Sequence, residues 1–298
     1  MSRILKCHAC GEEVEGIPLR GFAGVRQSPW LEETWYWCGA CGACFCDRRT
    51  TEAEDVQHHQ MREHGRLNRF ERYRRIKRPM YRHVCAGLEK RFEQHGLARR
   101  SILDVGASFG GFLTEAQAAG FKVTASDINP ECVSYIKAQG VEAYSASSLS
   151  QLPKLCFDAI TMLDVAGYFD NQRAEFERAR EMLSEGGWLV IRTTNKLWMV
   201  RLAMMLSRFA RQYGRRLFNR AVVDTVYVQD TGTLCRLLRD CGFKRVEIEP
   251  DATYHAQSVK LDAKAAYATG TLFSKVVGRP VIVPGVFVWA QCSSNGQN

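Results

Sequence analysis

The sequence predicts an α/β protein: a mostly parallel sheet with helices on both faces, preceded by a small metal-binding module and a helical linker. Three observations carry this expectation. From Ser101 onward, short apolar runs alternate with helical stretches, the signature of βαβ units around a parallel sheet. Half of the twelve cysteines, Cys7, Cys10, Cys38, Cys41, Cys44 and Cys46, crowd into the first 46 residues. The 298-residue length accommodates one α/β domain of about 200 residues and a smaller unit. With 46% apolar and 24% charged residues, disordered, collagen-like and coiled-coil classes are excluded.

Residues 1–48 hold turn-forming glycines and prolines and the aromatics Trp35, Tyr36 and Trp37. Cys7-His-Ala-Cys10 and Cys38-Gly-Ala-Cys41 form C-x2-C…C-x2-C, a spacing that sets four thiolates around one Zn²⁺ with no position left for water. Cys7, Cys10, Cys38 and Cys41 are the predicted ligands. Cys44 or Cys46 could replace one of them, or join His58, His59 or His64 in a second site, but buried filler is the commoner role of a free cysteine. His8 reads as a neighbour of the ligands or an exposed residue. A redox role for C-x-x-C expects a βαβ setting that this segment lacks.

Residues 49–97 read as a basic helical linker, with Phe70, Tyr73, Tyr81, Val84, Leu88 and Phe92 among its apolar positions and Pro79 expected to divide it into two helices. His83 is expected on its surface. Arg62–Arg100 carries thirteen Lys/Arg against four Glu, and Arg192–Arg220 eight Lys/Arg against no acid. The formal charge of +9 is thus concentrated in two stretches, which points to acidic molecules as partners.

In residues 98–298, apolar runs at Ile102–Val105, Lys122–Ala125, Ala159–Leu163 and Trp188–Arg192 are the expected parallel strands. Gly111–Ala119, Pro130–Gln139 and Arg173–Leu183 are the intervening helices. One long amphipathic segment is expected over about 196–220, then a helix over Thr231–Asp240 capped by Asp230 and ended by Gly242. Val246–Glu249 and Val286–Gln291 are the closing strands.

Ligands of such sheets sit beyond the C-terminal strand ends. The loop after the first strand, Asp104-Val-Gly106-Ala-Ser108-Phe-Gly110-Gly111, has small residues that let the backbone approach a ligand closely. The second strand ends at Asp127, where a carboxylate can accept both hydroxyl protons of an adenosine ribose, with Ile128 against the adenine. ILDVGASFGGFL and VTASDINPECV resemble the first two motifs of class I S-adenosylmethionine-dependent methyltransferases, and FDAITMLDV and LSEGGWLVIRTTN resemble their later strands. The resemblance covers about Ser101–Phe243 and implies a seven-stranded Rossmann-like sheet with S-adenosylmethionine as cofactor. It assigns Asp104 and Gly106 to the amino-acid end, Asp127 to the ribose, and Ile128, Ser147 and Ser148 to the adenine, with Ser108, Gly110 and Asp164 as further cofactor-binding residues. The N-terminal cysteines, continuing as Cys41-Gly42-Ala43-Cys44-Phe45, resemble a zinc-ribbon leader found before such domains in a group of bacterial enzymes.

Where these enzymes commonly carry Leu-Glu-His after the fourth strand, this chain has Gly167 and Tyr168. Asp164, as orienter or base, and Tyr168, as donor or base, are the catalytic candidates. Asn195 is expected to shape the site, and Tyr227 and His255 are weaker candidates. The expected acceptor is a small or carrier-bound acidic molecule: a nucleotide sugar, a glycan or lipid precursor, or a natural-product intermediate. The alternative is an RNA methyltransferase using the zinc module and the basic linker, and a third reading is a binding protein on a degenerate fold. No run reaches the roughly 18 apolar residues of a membrane span and the start lacks an apolar secretory core. The expected location is the cytoplasm, with the basic cover at 196–220 available for peripheral contact with the inner membrane face.

Overall fold

The computed structural model describes residues 4–19, 34–47, 70–94, 100–222, 225–251 and 285–292, with a few isolated positions between them. Its centre is a seven-stranded sheet of order β12-β13-β10-β9-β6-β7-β8. The strands are β6 (Ser101–Val105), β7 (Lys122–Asp127), β8 (Glu142–Ser145), β9 (Phe157–Leu163), β10 (Leu183–Thr194), β12 (Phe243–Pro250) and β13 (Gly285–Cys292). Only β13 runs against the rest, inserted between β10 and β12. The order reverses at β6, with β7 on one side and β9 on the other, the switch point at which open α/β sheets bind ligands. The short edge strand β8 is an element the sequence reading did not identify.

Helices α2 (Gly111–Ala118), α3 (Pro130–Ala138), α4 (Gln172–Met182) and α7 (Thr231–Asp240) link the strands. Two of their starts are set by side-chain caps. Asn129 accepts from the Glu131 N–H ahead of Pro130, and Asp230 accepts from the Thr233 N–H, each satisfying a donor that has no partner within its helix. Gly242, at φ +91°, ends α7.

The linker differs from expectation. Phe70–Gln94 is one helix, α1, with Pro79 inside it. Proline deprives the carbonyl four residues earlier of a donor, a loss that is least costly where, as at Arg75 and Pro79, the residues are exposed to solvent. The opposite face buries Met80, Val84, Leu88 and Phe92 against the sheet, holding the helix together. His83 is not a free surface residue. It meets Glu249 at 2.8 Å and packs on Phe287, with ring centroids 5.0 Å apart. The histidines 58, 59, 64 and 255 lie outside the described residues.

The cover at 196–220 is two helices rather than one: α5 (Leu197–Ser207) and α6 (Arg211–Val222). A Cβ at Gly214 would stand 2.7 Å from the Ala203 carbonyl oxygen, so glycine there permits the close antiparallel approach. The N-terminal strands are β1 (Ile4–Lys6), β2 (Glu13–Glu15), β3 (Ile17–Pro18), β4 (Trp35–Trp37) and β5 (Cys44–Cys46). The last of these pairs with β11 (Tyr227–Val228), extending the small sheet into the second half of the chain.

Candidate active site and metal centre

A cleft of about 690 Å³ opens at the C-terminal ends of β6, β7, β9 and β10 and is roofed by α1, well within the size range of small-molecule sites. Its floor is the loop after β6, where Gly106, Ser108 and Gly110 all have left-handed backbones, at φ +73°, +50° and +77°. The amides of Gly106 and Ala107 donate to the Ser126 carbonyl, tying the loop to β7. A Cβ on Gly106 would come 2.7 Å from Val165 Cγ2, so the loop reaches this depth only with glycine there.

Asp127 stands at the end of β7. One carboxylate oxygen accepts from the Ser108 amide at 2.7 Å and the other from the Asn129 amide at 2.8 Å. Asp104 is 3% exposed and accepts from the Thr161 hydroxyl at 2.7 Å. Burial pushes its carboxyl up to about 7, against the lowering effect of that hydrogen bond. Ile128, Ser147, Ser148 and Asp164 also line the cleft, so it brings together every residue assigned to the cofactor except Gly110, which begins α2 immediately behind the lining loop.

Asp164 has a left-handed backbone, φ +67°, which turns its carboxylate between two cations. Lys77 of α1 donates to one oxygen at 2.7 Å and Arg192 of β10 donates to the other. Burial alone would raise the Asp164 carboxyl, but Arg192 and Lys77 outweigh it and hold the group well below the usual carboxylate range. So clamped, Asp164 is a weak proton acceptor, and of its two anticipated roles the geometry favours orientation. Arg192 continues the chain of charges to Asp251, which it grips through two nitrogens at 3.0 and 2.8 Å. Tyr168 lines the same end of the cleft. Tyr227 does not: it is 3% exposed, and its hydroxyl donates to the Ala166 carbonyl. Asn195 is buried at 2% exposure just beyond the lining residues Thr193 and Thr194.

The sequence reading missed Lys77, Arg192 and Asp251. Arg192 had a signal: an arginine inside the run Trp188–Thr194, otherwise written for a buried strand. Lys77 was one of many cations on α1, and nothing local singles it out.

The four predicted thiols converge, all within 4.8 Å of one another. The Cys7–Cys41 and Cys10–Cys38 sulfur pairs are 3.9 and 3.8 Å apart, and a tetrahedron with Zn–S of about 2.3 Å has edges of about 3.8 Å. The donor set therefore fits the ion. The two knuckles share one backbone design: Gly11 and Gly42 follow the second cysteine at φ +78° and +76°, and their amides donate to the carbonyls of Cys7 and Cys38. Cys44 and Cys46 are fully buried and stand outside the cluster of four. His8 bridges outward, with its ring nitrogens 2.9 Å from the Asp170 carbonyl and 3.2 Å from that of Cys46.

The module leans on the cleft wall. Gln172 N–H donates to the His8 carbonyl, Arg173 Nε to that of Cys10, and Thr233 Oγ1 to that of Cys41. Cys46 N–H donates to the Val226 carbonyl while Val226 N–H donates to Gly167. The cysteine cluster is thereby one strand away from the turn that carries Tyr168.

Residues 70–248, more than half of the chain, match the family described as a methyltransferase domain. The chain belongs to the methyltransferase domain family. Its seven-stranded, mostly parallel sheet is the one that the resemblance to class I S-adenosylmethionine-dependent methyltransferases implies. Ubiquinone biosynthesis O-methyltransferases from strains of Xanthomonas oryzae pv. oryzae are 32% identical to it over 109 residues, 34% of this chain and 45% of theirs. The chain thus spans less than half the length of these curated relatives. The plantazolicin methyltransferase BamL, solved with a triazolic desmethylPZN analogue and SAH, shares the fold at a TM-score of 0.50 and 15% identity, covering 81% of this chain and 96% of that one.

Proposed function

We propose that this enzyme transfers a methyl group from S-adenosylmethionine to a small or carrier-bound acidic acceptor bound under α1. The observation that carries the reading is that one cleft gathers two sets of residues. Asp104, the left-handed loop and Asp127 line it together with Lys77, Arg192, Asp164 and Tyr168. Asp127 would hold the ribose hydroxyls and Asp104 the cofactor ammonium, with Ile128 and Ser147 beside the adenine. When bound, S-adenosylmethionine supplies an electrophilic methyl on a sulfonium. The chain's own task is to position the acceptor in line, which accounts for much of the acceleration in such reactions. Lys77 and Arg192, neutralised by Asp164 and Asp251, would fix the cleft wall against which the acceptor lies, and Tyr168 is placed to donate to or accept from the reacting group. The O-methyltransferase name of the Xanthomonas relatives supports an oxygen nucleophile.

Cys7, Cys10, Cys38 and Cys41 would hold one structural Zn²⁺, consistent with a reducing compartment such as the cytoplasm. We further propose a division into module, linker and methyltransferase domain at about residues 48 and 98. The RNA reading loses support on two counts. Trp35 is fully buried, set edge-on to Phe218 at 5.8 Å, so it offers no stacking face. On α1, Lys77, Arg78 and Arg82 are committed to Asp164 and Glu115. The test is incubation with methyl-labelled cofactor and fractionated extract. The reading expects label in a small-molecule or carrier-bound fraction, dependent on Tyr168 and Lys77. Label confined to RNA would replace it with the alternative.

A further inference from the structure

The hairpin of α5 and α6 leaves an apolar tip in water that methyl transfer does not use. Met205 is 54% exposed, Phe209 89% and Tyr213 66%, gathered where α5 ends and α6 begins. The hairpin is rigidly mounted. Leu197, Val200, Phe218 and Val222 are buried against the cysteine module, and the close contact at Gly214 locks the two helices together. A clustered apolar projection of this kind marks an interaction surface.

Its charge indicates the partner. Residues 192–220 contain eight Lys/Arg and no Asp or Glu. Arg208, Arg211, Arg215 and Arg216 are exposed and, among the described residues, none of them makes an ion pair. An aromatic tip ringed by unneutralised guanidiniums matches the interface of an anionic bilayer, where the cations meet headgroup phosphates and the rings enter the acyl boundary. An acidic protein would satisfy the arginines but leave Phe209 without an apolar host. No helix among the described residues is long and apolar enough to cross a membrane, so attachment by the hairpin would be peripheral. The hairpin also springs from the rim of the cleft: Thr194 precedes it, Thr225 follows it, and both line the cleft.

We propose that the α5–α6 hairpin docks the protein on an anionic lipid surface, with Phe209 as the inserted anchor and the arginines as the headgroup contacts. The experiment is co-sedimentation of the full chain with vesicles of phosphatidylcholine alone or with phosphatidylglycerol at about a third of the lipid. Binding is expected to the anionic vesicles only. Phe209→Ser should weaken it about tenfold or more, the value of burying one aromatic side chain. Arg211→Gln with Arg215→Gln should weaken it about 25-fold, near fivefold per charge. S-adenosylmethionine affinity, measured on each variant, should match that of the parent, which separates loss of docking from loss of fold. Failure to bind anionic vesicles overturns the proposal, as does binding unaffected by Phe209→Ser, or a tight salt-sensitive complex with RNA or an acidic protein in place of lipid. None of these results would bear on the methyltransferase reading.

Discussion

Replacing Asp164 tests whether the charge chain Lys77–Asp164–Arg192–Asp251 holds this wall of the cleft together. Removing one partner from a fully buried ion pair costs about 3–5 kcal/mol. Here the Asp164 side chain is 27% exposed and Arg192 keeps both nitrogens on Asp251, so Asp164→Asn should cost less than that range, about 2–3 kcal/mol. Asp164→Ala should cost about 1 kcal/mol more, because alanine tolerates the left-handed backbone less well than aspartate or asparagine. Thermal unfolding by calorimetry reads these as drops in Tm of about 4–10 °C for Asp164→Asn, with Asp164→Ala lower still. The pH dependence has a fixed sign. A depressed carboxyl stabilises the fold fully above its unfolded value of about 3.9 and loses that contribution as pH falls toward its lower folded value. The gap between parent and Asp164→Asn should therefore be constant between about pH 5 and 8 and shrink below about pH 4. Equal unfolding temperatures for all three proteins at neutral pH would refute the clamp.

Three further outcomes follow from the geometry. Asp104, pushed up to about 7 by burial, takes up a proton on folding, so its contribution to stability should fall between about pH 4 and 7. Asp104→Asn should flatten that slope in equilibrium unfolding, and should also abolish the rise in S-adenosylmethionine affinity expected across the same titration. Gly106→Ala places a methyl 2.7 Å from Val165 Cγ2 at φ +73°. It should cost about 1–3 kcal/mol of stability and weaken cofactor binding by calorimetry, with Val165→Ala restoring part of both. Metal analysis should find one zinc per chain, lost in Cys38→Ser. Hydrogen exchange of the zinc-free protein should rise first at residues 166–168 and 225–228, which the module braces, and leave the loop at 104–111 protected.

The loop after β6 and the end of β7 were legible because their determinants are local. The glycine-rich turn, the aspartate ending the next strand and the caps at Asn129 and Asp230 each act within a few residues, so sequence spacing and backbone geometry coincide. The convergence of Cys7, Cys10, Cys38 and Cys41 was legible for a similar reason, each knuckle being a self-contained turn closed by Gly11 or Gly42. The charge chain was not. Lys77, Arg192 and Asp251 are brought together by α1, β10 and the segment after β12, and no spacing rule links them. Pro79 misled because a local rule was applied without knowing which face of α1 was wet. The cover was read as one helix because its amphipathic pattern continues through Ser207–Ala210, a stretch without glycine or proline. The fold-back is decided instead by Gly214 and by burial against a module almost two hundred residues away.

The most direct measurement of the central claim is calorimetric titration of the purified chain with S-adenosylmethionine and S-adenosylhomocysteine, beside Asp127→Ala. Both ligands should bind the parent one to one. Asp127→Ala should lose about tenfold or more, since a charged acceptor of hydrogen bonds contributes roughly 1.5–3 kcal/mol, while its far-ultraviolet circular dichroism is unchanged. A parent chain that binds neither ligand, or a folded Asp127→Ala that binds both as tightly as the parent, would contradict the assignment of this cleft to the cofactor.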